Sequence, residues 1–443
     1  MARGQYSPGM AALRWHFLAL SMLTPCSIAP LVAQAKATTY VKDTAYLLDE
    51  FEKGAGTLLK QKGVDWKAVR AEFTKLAREV KDDVAHVKLC TRLIARLNDG
   101  HAGFTKVDVK MPEEPRTVSC GITLCEQDKT VLVKTASAAA GGLSSGTVVL
   151  EIAGKNASEW LAEQAKRLCE NHGFSTQHAA RYAACHWAPA GPEGTKLELL
   201  VADPAGARRK VTLLADKKAG DARYVGPLFP SPKLQRLGRR DAYGLLESGY
   251  GYIYLGECAT DLPAELDQAL AKLADAPGLI LDVRANNGGG TDHEAVFGRF
   301  LAAGAKWRQY SGQGKANFVG PMVVIVDAGT RSAGETVGGQ FKEDGRGYLI
   351  GPEPSAGMSA QKQEIEVPSK LFKVRFATHS NKLRFQGGKG IEGVGILPHE
   401  IVPWDPALMQ QGIDPMIRRA EELLKSGFPK GTVAYAPPQA AKR

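Results

Sequence analysis

The chain has no block of lysine and arginine interleaved with aromatic residues, and its formal charge of +10 is spread along 443 residues. A nucleic-acid surface therefore has no support. The glycine turn at residues 288–290 fits neither G-x-G-x-x-G nor G-x-x-x-x-G-K-[ST], so a phosphate cradle is a weak reading of it. Cysteine is sparse. The stretch "CENHGFSTQHAARYAACHW" gathers Cys169, His172, His178, Cys185 and His186 but lacks the close cysteine pair of a common zinc site. Collagen-like and low-complexity bias are missing too. No long apolar run is left uninterrupted: "WHFLALSMLTPCSIAPLV" is broken by Pro25 and Pro30 and ends in a polar tail. A retained span needs about 20 mostly apolar residues, so stable membrane insertion is not expected.

What is present at the N-terminus reads as an export signal over residues 1–35. Arg3 and Arg14 form a basic start, an apolar stretch follows, and Ala33-Gln34-Ala35 fits a small-x-small cleavage site. Cleavage there removes two arginines and no acid, taking the charge from +10 to +8. The expected location is periplasmic or extracellular. Cys26 after Leu23-Thr24-Pro25 resembles a lipoprotein box, but proline before the cysteine fits poorly, which ranks a lipid anchor second. Six cysteines then remain in an oxidising compartment, and Cys120–Cys125 and Cys169–Cys185 are the pairs closest in sequence.

Residues 40–105 carry helical periodicity: "AVRAEFTKLAREV" and "HVKLCTRLIARL" repeat apolar residues at spacings of three and four until "NDGHAGF" breaks the pattern. Residues 116–220 change to short alternating strands. There "AAAGGLSSGTVVLEIAGKNASEWL" resembles a degenerate PDZ domain, with Gly142-Leu143 and Gly146-Thr147 at the expected places and Thr147 for the usual aspartate. A PDZ domain holds a peptide C-terminus at a sheet edge; the bland alternative is a small β-rich domain that binds nothing. After a proline-containing linker, residues 235–425 alternate strands and helices, as in a mainly parallel α/β domain. The tail at 430–443 is rich in Pro and Ala and reads as disordered.

Functional groups in such a domain gather where strand C-termini meet helix N-termini. Ser332 stands there, after the buried run "PMVVIVDAG" and ahead of "SAGETVGGQFKED". Ser332-Ala-Gly-Glu335 is also a capping box, so cap and nucleophile are both open readings. A helix N-terminus supplies amides that steady an oxyanion. Gly288-Gly289-Gly290 can expose further amides, or can be a plain turn. His101 offers a base near neutral pH, or is structural. Glu392 could orient a histidine, or be a surface acid. His293 is a minor alternative base or substrate contact.

In this order these segments resemble the C-terminal processing (tail-specific) peptidase family and its tricorn-like relatives. The motifs are Leu97-Asn98-Asp99-Gly100-His101, Ile280 to Gly289 ("ILDVRANNGG"), Ser332 to Glu335, and Glu392 to His399 ("EGVGILPH"). The resemblance covers nearly all the chain after the signal. It implies a crotonase-like/ClpP-like βαβ protease core, with a helical N-terminal part and a PDZ-like β domain. It also implies Ser332 as nucleophile, with oxyanion donors at Gly288 or Gly289 and at Ala333. The family's Ser–Lys branch keeps a lysine where this chain has Met358, and a thioether cannot accept a proton. Lys362, four residues on, lies in an alternating run that faces it to solvent. The tricorn-like branch uses the histidine of "D-x-H", which His101 matches; the serine that bridges it to a glutamate is replaced by Gly100. The bridge is then a water, a direct Glu392–His101 contact, or missing, with Asp99 the nearest substitute acid.

The expectation is an exported serine endopeptidase acting on polypeptides, engaging them through the C-terminus. Ser332, His101 and Glu392 are its catalytic set, and it needs no metal or organic cofactor. The rivals are a pseudo-peptidase that only binds peptides and a small-molecule hydrolase on the same scaffold.

Overall fold

The computed structural model describes residues 28–203, 206–217, 226–229, 231 and 233–436, with side chains from residue 38 onward. Most of the expected export signal (with Arg3, Arg14 and Cys26), most of the linker at 221–232 and the end of the tail lie outside the described residues. The helix Ile28–Gln61 runs through the small-x-small triplet at 33–35.

A seven-stranded sheet forms the centre of the molecule. Its strands are Gln235–Leu237, Asp241–Leu245, Gly251–Tyr254, Leu279–Asp282, Met322–Ile325, Tyr348–Gly351 and Glu400–Ile401, side by side in chain order. The first two neighbouring pairs are antiparallel and the other four parallel. Parallel strands covered on both faces read as continuous apolar runs, and "LILD", "MVVI" and "YLIG" are buried throughout. Alternate residues go to opposite faces. Leu279, Leu281 and Val324 pack with Leu266, Val337 and Phe341 of the helices Leu262–Leu273 and Ala333–Glu343. Ile280, Val323 and Ile325 pack with Met416, Ala420 and Leu423 of the helix Pro415–Ser426.

The order "ILDVR" has a structural reason within this sheet. Arg284 is wholly buried and pairs with Asp282 at 2.6 Å and with Asp414 at 2.8 Å, tying the sheet to the start of the last helix.

The N-terminal helices Trp66–Ala77 and Asp83–Ala95 bury Phe73, Cys90 and Leu93 together with Phe51. Their core is completed by Phe372, Val374 and Phe376 of the strand Phe372–Ser380. That strand lies between Ala360–Glu366 and Gly103–Val107, antiparallel to both. The helical part is thus welded to an arm sent out by the central domain, and His101 sits just before the strand that makes the weld.

Between them, Ile122–Gln127, Thr130–Ala136, Val148–Ile152, Lys196–Ala202 and Arg208–Leu214 form an antiparallel sheet with its own core. Two helices, Ala157–Leu168 and Gln177–Trp187, belong to this insert. The suggested disulfides do not form: all six cysteines from Cys90 to Cys258 carry free thiols. Cys120 and Cys125 stand on either side of a strand start, and Cys185 is buried within the second helix. Among the described residues, no helix is long and apolar enough to cross a membrane.

Candidate active site

The strand Met322–Ile325 runs into a turn organised by the buried Asp327. Its Oδ1 accepts the N–H groups of Ala285 (2.8 Å), Gly329 (3.0 Å) and Thr330 (3.0 Å). The chain then reaches Ser332 at the head of the helix Ala333–Glu343, with φ 57° and ψ −124°. A non-glycine residue in that region carries strain of about 1–3 kcal/mol and persists only when its surroundings hold it. Here the Ser332 N–H is held by the Met358 carbonyl at 2.9 Å and by Glu335 Oε2 at 3.1 Å. Gly288 passes so close that a Cβ on it would lie 2.6 Å from the Ser332 Cβ. The cap and nucleophile readings are compatible: Ser332 and Glu335 form the capping box, and the serine hydroxyl still lies within reach of His101.

That hydroxyl meets His101. Its Oγ lies 3.3 Å from His101 Nε2, across 231 residues of sequence. Desolvation is the main cause that pulls the imidazole down to about 4; the positive charge of Lys362 adds to it, and Asp99 opposes it. A histidine neutral at pH 7 can accept a proton. Lys362 is exposed on the strand Ala360–Glu366 and acts on the site only through its charge.

The acids divide their work. Asp99 is buried and braces backbone, accepting the N–H of His101 (2.8 Å) and of Ala377 (2.6 Å). Glu392 is fully buried and pairs with Lys62 at 2.7 Å. Burial raises its carboxyl pKa, with Lys62 as the chief opposing influence. Ligand atoms of Asp99, His101 and Glu392 lie within 4.8 Å of one another, and among the described residues this is the group that could hold a metal. The cysteine–histidine stretch at 169–186 forms no such group among the described residues. His101 Nδ1 and Glu392 Oε2 are both buried without a hydrogen-bond partner. The Ser175 hydroxyl is nonetheless close enough to hold the Glu392 pKa down, and it accepts the Gly100 N–H at 3.0 Å.

Of the amides expected to receive an oxyanion, the Gly288 N–H is committed to Asn286 Oδ1 at 2.8 Å. The Gly289 and Ala333 amides donate to no backbone carbonyl outside the regular elements. Gly289 abuts Cys258 so tightly that a Cβ would lie 2.0 Å from its carbonyl oxygen. His293 heads the helix His293–Gly298, and its Nε2 meets no partner.

Several contributors escape sequence reasoning. Lys62 comes from the turn just after the helix Ile28–Gln61 and Ser175 from the insert, and nothing local marks either. Glu335 was legible as a cap, but it also accepts the Ser355 hydroxyl (2.7 Å) and the N–H groups of Gly357 (2.7 Å) and Met358 (2.8 Å). All its partners are donors, which suits an ionised carboxylate, although burial draws its pKa upward.

Residues 249–402 match the model of peptidase family S41. The carboxyl-terminal-processing protease of Picosynechococcus sp. is 28% identical over 191 residues, 39% of this chain. That match spans 45% of the relative, so the chain covers less than half the length of the curated relative it matches. The fold resembles the crystal structure of mature CPAF, with a TM-score of 0.63 at 13% identity over 90% of this chain and 99% of that one. A looser likeness, TM-score 0.44 at 17% identity over 88% of this chain and 98% of the other, is to the photosystem II D1 C-terminal processing protease.

Proposed function

We propose, from the premise that this chain carries a peptidase family S41 domain at residues 249–402, that it is an exported serine endopeptidase. The observation that carries the reading is the 3.3 Å separation of Ser332 Oγ and His101 Nε2. In this mechanism Oγ attacks the scissile carbonyl while His101 takes its proton, and the carbonyl oxygen becomes an oxyanion. The amides of Ala333 and Gly289, at a helix start and a glycine turn, are the donors left to receive it. Collapse of the intermediate breaks the C–N bond, and His101 gives its proton to the leaving amine. Water then repeats the sequence on the acyl-enzyme, releasing the acid and restoring Ser332. Glu392, with Lys62, is a positioning group behind the histidine.

A polypeptide is the substrate, and its C-terminus is proposed to be presented by the PDZ-like insert. The basic and apolar N-terminus with its small-x-small triplet supports export. Reaction with a fluorophosphonate probe tests the reading: Ser332 is labelled in the wild type, and labelling is lost in Ser332→Ala and falls by about 10²-fold or more in His101→Ala. Undiminished labelling in His101→Ala would remove the histidine from the mechanism.

A further inference from the structure

Beside the dyad lies a cleft of about 340 Å³ that the reaction sketched above does not use. Gly100, Arg331 and Met358 line it on the catalytic side. Gly100 is bonded to His101, Arg331 to Ser332, and Met358 gives the carbonyl that holds the Ser332 N–H. The cleft therefore lies against the segments that carry His101 and Ser332. Its far wall is built by the insert, from Phe174, Tyr182 and Trp187.

Its chemistry is apolar. No aspartate or glutamate lines it, and the one guanidinium at its edge, Arg331, donates to Asn287 Oδ1 at 2.6 Å. A lysine or arginine side chain entering it would be desolvated with no counter-charge. An apolar one would gain by leaving water, in proportion to the surface it buries. The floor is kept open by small residues, Gly173, Ala179, Ala183 and Gly329. A Cβ on Gly329 would lie 2.5 Å from the Tyr182 hydroxyl. The wall is braced ring on ring, with centroids 5.7 Å apart for His172–Trp187 and 5.8 Å for Phe174–Trp187. The volume sits at the low end of the roughly 300–1,000 Å³ usual for ligand pockets, which suits one large side chain and not a folded segment.

We propose that this cleft seats an aromatic or long aliphatic side chain of the substrate residue whose carbonyl Ser332 attacks. The assignment rests on the serine-peptidase reading and makes the insert a determinant of specificity.

The experiment compares internally quenched peptides of one sequence carrying Phe, Leu, Gly, Lys or Asp at that residue. The wild type is expected to prefer Phe and Leu over Gly, Lys and Asp by about tenfold or more in kcat/KM. Ala183→Phe, which fills the floor, is expected to erase the preference for Phe. Phe174→Ala, which opens the wall, is expected to lower the Phe-to-Gly ratio several-fold. Labelling of Ser332 by the small phosphonate reports whether each variant still holds a folded dyad. If filling the floor abolishes labelling, the Phe174→Ala ratio decides. A labelled wild type with no preference, or with one that Phe174→Ala leaves unchanged, overturns the pocket alone. A wild type that is neither labelled nor active overturns the peptidase reading and the pocket with it.

Discussion

At the scale of single residues, the proposed Ser332–His101 reaction needs a histidine kept neutral by its surroundings. Desolvation and the Lys362 charge bring His101 down to about 4 from the ordinary 6.5. A depressed histidine pKa preserves the proton-accepting form to lower pH, so the acid limb of kcat/KM is expected near pH 4 and not near 6.5. The same shift costs stability on acidification. Between about 6.5 and 4 the unfolded imidazole binds a proton that the folded one refuses, so folding weakens as pH falls through that window. Lys362→Gln removes one of the charges that repel the proton, so the His101 pKa rises and the acid limb moves to higher pH. A pH–rate series on the two proteins checks the direction, and a limb that stays still or moves down would show that another group controls it.

At the scale of elements, the segment at residues 173–178 of the insert grips the loops of both His101 and Ser332. Ser175 takes the Gly100 N–H beside His101. Thr176 Oγ1 donates to the Ala356 carbonyl at 2.9 Å, and His178 Nε2 lies 2.7 Å from that of Ser355, in the loop whose Met358 carbonyl holds Ser332. Gly173 is pressed onto this region: a Cβ there would lie 2.3 Å from the Asp99 carbonyl oxygen. Gly173→Ala is therefore expected to push the His101 loop aside. It should cost about 1–3 kcal/mol in stability and at least about tenfold in kcat, since small misplacements of reacting groups are expensive. Turnover measured beside a urea titration checks it; wild-type kcat in a folded variant would mean that the two halves align without this contact. The central helices and buried strands were legible because each announces itself within a dozen residues by periodicity. The pairing of Gly103–Val107 with Phe372–Ser380 was not, because no local pattern encodes a partner some 270 residues away. Nor could the sequence show that Gly100 and Met358 meet: a Cβ at position 100 would lie 2.7 Å from the Met358 sulfur. The thioether occupies the room that a larger residue at 100 would need.

At the scale of the whole molecule, three separate regions meet around Ser332 and His101, and the proposed reaction needs the contacts between them as much as stability does. One buried contact joins the insert to the turn before Ser332. Lys134, on the strand Thr130–Ala136, is 1% exposed and places Nζ 4.0 Å from Asp327 Oδ2. Its ammonium also lies 5.3 Å from the ring centres of both Tyr182 and Trp404, and 3.4 Å from His186 Nε2. Burial and the neighbouring ammonium hold His186 neutral, so it adds no competing charge. Asp327, through its other oxygen, fixes the turn that delivers Ser332. Removing one partner of a buried ion pair strands the other charge and costs about 3–5 kcal/mol. Lys134→Met is expected to lose about that much on urea unfolding and to slow phosphonate labelling of Ser332 as the turn loosens. Adding Asp327→Asn to Lys134→Met removes the stranded charge, so the double variant should be more stable than the sum of the two single losses predicts, by about 1–3 kcal/mol. Losses that simply add would show that insert and turn are not coupled through this pair, and the insert would then act on the dyad only through the grip at 173–178.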